Sequence, residues 1–266
     1  MKERKAWLLL TLCPLFWAGN YVFGQYILRE MTPITLTFLR WLFATLILLL
    51  IAHHTEKPDW LMVMRSWKML TIMAFAGIIA YNLILYTALT YTSPTNAAVV
   101  SALNPALLVV MSNLILRERL TPVQWAGLAI SFSGVLVVIS GGRLLQLLQL
   151  RFNRGDVMML AAITVWTIYS ILGKRLSHIP PIAATAVSAL IATVILAPFS
   201  LMKGLNLSEI STIGWMGIMY IVIFPSVASF IFWNKGIRAI GAGKSGIFLN
   251  LIPVFTAMIS MMIGVP

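Results

Sequence analysis

The sequence predicts an all-α integral membrane protein: an inverted repeat of five-helix units, on a ten-helix plan of which nine spans are present. Three observations predict it. Hydrophobic residues make up 60% of the 266 residues and charged ones only 10%, with a mean hydropathy of +0.94; a soluble surface needs about a quarter of its residues charged. The apolar residues fall into nine runs of the ~20 residues needed to cross a bilayer as helix. The second half also echoes the first at a fixed offset of 148 residues.

The runs are, in order, 6–28, 33–52, 67–90, 95–116, 122–141, 156–173, 181–202, 212–233 and 244–263. Short alternating segments are absent, so a β-barrel is not expected. The first run follows Lys2, Arg4 and Lys5 as a signal peptide would, but it is too long and has no small-residue cleavage pattern. The second opens on Pro33, a residue suited to the first turn of a helix. Pro14, Pro105, Pro198, Pro225 and Pro253 interrupt spans and predict kinks or hinges. Gly127, Ser131 and Gly134 give the fifth run a small-residue packing stripe. Between the fifth and sixth runs, Arg143, Gln146, Gln149 and Asn153 recur at three- and four-residue spacing among leucines, which predicts an interfacial amphipathic helix over 142–155.

The repeat is carried by several matches in register. The segment Phe43–Leu48 (FATLIL) matches Ile191–Leu196 (IATVIL). Pro33-Ile34 matches Pro181-Ile182, Pro105 matches Pro253 and Ala80 matches Ala228. With one residue of slip, Trp17 matches Trp166 and Gly24 matches Gly173. A unit with an odd number of spans must reverse its orientation in the next unit, which is the architecture of carriers whose substrate site lies between inverted repeats. The first unit is 1–141 and the second 156–266. The second holds four spans, so the repeat predicts a tenth helix beyond Pro266.

Orientation follows from the basic residues. With a cytoplasmic N-terminus, thirteen fall inside (Lys2, Arg4, Lys5, Lys57, Arg65, Lys68, Arg117, Arg119, Lys174, Arg175, Lys235, Arg238 and Lys244). Five fall outside (Arg29, Arg143, Arg151, Arg154 and Lys203). Cytoplasmic loops carry the excess of Lys and Arg, so a multi-pass inner-membrane protein with its N-terminus in the cytoplasm is expected. The net charge of +12 is spread over these short loops, not gathered in a stripe that nucleic acid would need.

The Phe16-Trp17-Ala18-Gly19-Asn20 opening, Pro33 followed by Arg40, Leu103-Asn104-Pro105 and the Arg117-Glu118-Arg119-Leu120 turn, in this order on a five-plus-five plan, resemble the EamA-type branch of the drug/metabolite transporter superfamily. The resemblance covers essentially the whole chain. It implies a ten-helix inner-membrane exporter of small metabolites such as amino acids. Ser188 and Pro266 stand where the repeat would echo Arg40 and Glu118.

Chemistry-bearing groups are few. There is no HExxH and a single cysteine, Cys13, read as a buried packing thiol. His53, His54 and His178 fall in cytoplasmic loops. Gly241-Ala242-Gly243-Lys244-Ser245 resembles the end of a phosphate-binding loop, but Arg238 occupies the position of the required first glycine, leaving a tight turn. No metal or cofactor is expected, and no enzyme activity. None of the seven acids lies within a span core, and Glu118 and Asp156 stand at span ends, so proton coupling through a buried carboxylate has little support.

Arg40 is the one basic residue within a span. Facing lipid would cost it about 2.5–3.5 kcal/mol, so it must meet protein, water or headgroups. Two roles stand open: capping carbonyls of a broken neighbour, or holding an anionic substrate group. Helical spacing puts Trp17, Asn20 and Tyr21 on one face of the first span, Asn82 and Tyr86 on one face of the third, Trp166 and Tyr169 on the sixth, and Ser229 and Trp233 on the eighth. Asn104 and Asn250 adjoin prolines in the fourth and ninth. Polar groups in hydrocarbon find partners or line water. With Arg40 these residues form the candidate substrate site of a carrier that works by alternating access. The expected partners are a small amphipathic solute and the bilayer, and a monomer is favoured. The alternatives are a lipid or lipid-linked sugar flippase and a membrane-embedded enzyme.

Overall fold

The computed structural model describes residues 3–117, 121–122, 125–127, 129–130, 132–133, 153–176, 178–202, 204 and 207–263. Among these, eight helices are long and apolar enough to cross a membrane: α1 (Glu3–Ile27), α2 (Pro33–Glu56), α3 (Trp67–Leu89), α4 (Pro94–Ile115), α5 (Arg154–Lys174), α6 (Pro181–Met202), α7 (Thr212–Ile240) and α8 (Ala242–Ile263). Most of the expected fifth span (122–141), nearly all of the expected amphipathic linker (142–155), Glu118 and Pro266 lie outside the described residues.

The helix starts are written in short polar signals. Thr32 caps α2 by accepting from the Thr35 amide at 3.3 Å, and Ser93 caps α4 by accepting from the Asn96 amide at 3.1 Å. Each is followed by a proline, which has no N–H that would need an acceptor. Asn153 and Asp156 form a reciprocal capping box on α5. Ser211 caps α7 through the Gly214 amide. The amides of Ile182 and Ala183, which open α6, are capped by the carboxylate of Glu56 at 3.0 and 2.8 Å.

Two spans differ from the sequence reading. The second runs on to Glu56, so His53 and His54 belong to its last, exposed turns and not to a loop. The seventh described helix, read as ending at 233, continues to Ile240. Beyond Trp233 the sequence turns amphipathic, with Asn234 and Ile237 buried while Lys235 and Arg238 are only partly so. An apolar-run criterion stops too early there. The helix ends at Gly241, whose φ of 90° suits glycine.

Helices α2 and α6 pack antiparallel. The Thr45 and Thr193 hydroxyls meet at 3.5 Å, and Glu56 at the end of α2 caps the start of α6. Helix α1 packs against α7 and α8, α3 against α5, and α4 against α8. One end of the bundle gathers Glu56, Ser66, Lys174, His178 and Arg238: His178 reaches Ser66, Lys174 donates to the Ile237 carbonyl, and Arg238 donates to the carbonyls of Ile179 and Leu176. The opposite end gathers Glu30, which takes the Ser211 amide and hydroxyl at 3.0 and 2.7 Å, and Asp156, which takes the Thr92 hydroxyl at 2.7 Å. The outer faces carry exposed Leu46, Leu50, Phe75, Val194, Phe199 and Met216, as a surface solvated by acyl chains requires.

Among the described residues, two spans widen into π-helix in mid-span, α3 over Ala74–Ala80 and α7 over Val222–Ala228, while α2 and α4 do so only in their last turns, Ala52–Glu56 and Ser112–Leu116. The two mid-span segments begin and end 148 residues apart, the offset that also separates Thr45 from Thr193. Such i→i+5 turns recur at functional sites, and the charged centre of this protein lies between them.

Candidate functional site

Arg40 lies about 10 Å along α2 from Pro33, at 1.5 Å per residue, and only 1% of its surface is accessible. Its Nε donates to the Ser226 hydroxyl at 2.6 Å. Its Nη1 donates to Asn82 Oδ1 at 2.7 Å, to the Tyr86 hydroxyl at 2.8 Å and, more weakly, to Asn20 Oδ1 at 3.2 Å. The guanidinium carbon also lies 5.4 Å from the Trp41 ring centroid and 5.9 Å from that of Tyr86.

Three of the four acceptors are aimed at the cation because their own hydrogens are used elsewhere. Ser226, within the α7 π segment, donates to the carbonyl of Ile221, the residue just before that segment, at 2.8 Å. Asn82 donates through Nδ2 to the Ile78 carbonyl at 2.7 Å, within the α3 π segment. Tyr86 donates to Asn20 Oδ1 at 2.8 Å. The π segments therefore do local work: that of α3 presents a carbonyl to Asn82 and that of α7 carries Ser226, and both orient the shell around Arg40. None of these partners is an acid. The guanidinium is held by neutral oxygens, and its Nη2 takes no part in the bonds just named.

Beside it lies a cluster of rings. Trp17 and Trp166 meet edge-on with centroids 5.1 Å apart. Trp233 sits 5.5 Å from Trp17, and Phe230 lies 5.4 Å from Trp166, 5.7 Å from Tyr169 and 4.9 Å from Trp41. Tyr81 stacks 5.0 Å from Trp166. The indole of Trp17 donates to the Pro225 carbonyl at 3.1 Å and that of Trp233 to Ser170 at 3.1 Å. The rings touch one another and, Tyr81 apart, are buried.

The residues expected from sequence thus divide into groups. Arg40, Asn20, Asn82 and Tyr86 form one hydrogen-bonded unit. Trp17, Trp166, Tyr169 and Trp233 form the adjoining aromatic unit. Tyr21 is tied to Ser101 at 2.6 Å and Asn104 accepts from Thr167 at 3.1 Å, both contacts between helices. Ser229 and Asn250 are buried on α7 and α8 outside the Arg40 shell. Sequence reasoning missed Ser226, Phe230, Tyr81 and Asn234. Asn234 donates to Tyr169 Oη and Thr185 Oγ1, each at 3.0 Å, a second asparagine–tyrosine pair beside that of Asn20 and Tyr86. The signal for it was an asparagine one residue past an assumed span end.

A bundle of eight apolar helices around a polar and aromatic centre is a multi-pass membrane protein. The chain belongs to the EamA-like transporter family, whose model matches residues 4–140 and 153–264, and it is a membrane transporter of that family. It is 30% identical over all of its length to 88% of the uncharacterized transporter YyaM of Bacillus subtilis. It is 29% identical over 96% of its length to 87% of an uncharacterized transporter of Archaeoglobus fulgidus. An aromatic amino acid exporter, YddG of Ancylobacter novellus, is 23% identical over 80% of this chain and 74% of its own. A solved crystal structure superposes with a TM-score of 0.76 at 20% identity, covering 98% of this chain and 88% of the other, and so shares its fold.

Proposed function

We propose that the protein exports small amphipathic organic acids, amino acids among them, across the cytoplasmic membrane by alternating access, with its N-terminus in the cytoplasm. The observation that carries this reading is Arg40. A buried guanidinium balanced only by neutral oxygens attracts an anion strongly in a low-dielectric site, and its fork matches a carboxylate. The aromatic cluster beside it offers faces for the apolar part of the same solute. An inverted repeat supports the transport mode: α2 and α6 run antiparallel, and the π segments share the 148-residue offset of the sequence matches. In this reading the Trp17–Trp166 contact closes the centre, and transport requires these rings to part. The basic end of the bundle supports the proposed orientation. A relative named as an aromatic amino acid exporter is in keeping with the solute class.

Purified protein in liposomes loaded with radiolabelled phenylalanine, leucine or a simple organic acid tests the reading. Release well above protein-free vesicles is expected for at least one carboxylate. Release of uncharged or cationic solutes alone would overturn it.

A further inference from the structure

A second charged feature lies far from Arg40, at the basic end of the bundle. A cavity of about 850 Å³ opens between the start of α1, the start of α6 and the end of α7. Among the described residues its lining includes three cations, Lys5, Lys235 and Arg238, and no acid. Arg238 is fixed there by its bonds to the Leu176 and Ile179 carbonyls, while its buried Nε has no hydrogen-bond partner. Glu56 is the nearest acid to influence Arg238, but it is occupied capping α6 and is not part of the lining.

The lining is graded along the helix axes. Helix α1 runs inward from Lys5 to Leu9, one turn or about 6 Å deeper. Helix α7 runs outward, from Ile231 and Phe232 to Lys235 and Arg238, over a comparable rise. The cations therefore stand at the rim and the apolar side chains on the membrane side. Trp7, 51% exposed on the same turn of α1, suits the headgroup level, where tryptophan concentrates. A soluble anion would use the rim and leave the apolar floor idle. An anionic phospholipid uses both.

We propose that this cavity is a binding site for an anionic phospholipid, its phosphate held by Lys5, Lys235 and Arg238 and its acyl chain against Leu9, Ile231 and Phe232. Bound there, the lipid bridges α1 and α7. Basic pockets between transmembrane helices take such headgroups.

The test is native mass spectrometry of the detergent-purified protein with added dioleoyl phosphatidylglycerol, dioleoyl phosphatidylcholine or inorganic phosphate. A second arm uses Lys5→Gln/Lys235→Gln, which leaves the carbonyl-bound Arg238 in place. The wild type is expected to retain phosphatidylglycerol at least tenfold better than phosphatidylcholine, and inorganic phosphate at up to tenfold excess over the lipid is expected not to displace it. The double variant should bind phosphatidylglycerol about thirtyfold more weakly, the effect of two basic groups near a headgroup. Equal retention of the two lipids, displacement by inorganic phosphate, or unaltered binding in a folded double variant would overturn the site. If the variant does not fold, the wild-type comparison of lipids decides alone.

Discussion

Arg40→Lys is expected to reduce efflux of a carboxylate substrate by roughly tenfold to a hundredfold while leaving efflux of its methyl ester nearly unchanged. The reasoning is geometric. Lysine keeps the charge but loses the planar fork, so it can satisfy some of Ser226, Asn82, Tyr86 and Asn20 and cannot at the same time pair bidentately with a carboxylate. Hydrogen bonds to charged groups contribute about 1.5–3 kcal/mol, which sets the size of the loss. Arg40→Met is expected to act differently. It leaves four buried oxygens aimed at a missing donor, at about 1–3 kcal/mol each for those that find no other partner, and should lower the yield of folded protein. Efflux rates of acid and ester, normalised to folded protein in matched liposomes, separate the two roles left open by the sequence. Equal losses for acid and ester in Arg40→Lys would assign Arg40 to packing.

Gly77→Ala is expected to destabilise the folded protein strongly and to lower its melting temperature. Gly77 lies in the α3 π segment, and a methyl group there would collide with the ring of Tyr169, approaching its Cγ to 2.6 Å. That ring cannot swing aside: its hydroxyl is held by Asn234, and Trp166 and Phe230 press on it at 5.1 and 5.7 Å. Overpacking of a rigid site costs about 3 kcal/mol, a large share of ordinary stability. Tyr169→Ala in the same chain removes the obstacle from Cγ outward and should recover part of the lost stability, as measured by thermal melting in detergent. Gly173→Ala, whose methyl would meet its neighbours at 3.5 and 3.6 Å, serves as the tolerated control.

The same residues show how far the sequence could be read. Arg40, Asn20, Asn82 and Tyr86 were identifiable together because each is a polar interruption in hydrocarbon, and such groups must find one another. Their partner Ser226 was not, since a serine following Pro225 in an apolar run reads as ordinary packing. The π segments had no signature either. Ala74–Ala80 is small and apolar, and an i→i+5 turn leaves the hydrophobic pattern almost unaltered. Phe230 was hidden for the opposite reason: one more apolar residue in a span gives no hint that it will be the ring touching Trp17, Trp41, Trp166 and Tyr169. Asn234 was lost to a span boundary drawn where the helix merely becomes amphipathic.

The claim that matters most is that an organic acid reaches Arg40 during transport. Ser226 touches Arg40 directly, and Cys13 is the sole native cysteine. The most direct measurement is therefore the rate at which a small membrane-permeant thiol reagent modifies Ser226→Cys in a Cys13→Ser background. Saturating carboxylate substrate is predicted to slow that modification severalfold, and its methyl ester to leave the rate unchanged. Equal rates with and without the acid, under conditions where the same protein transports it, would contradict the account.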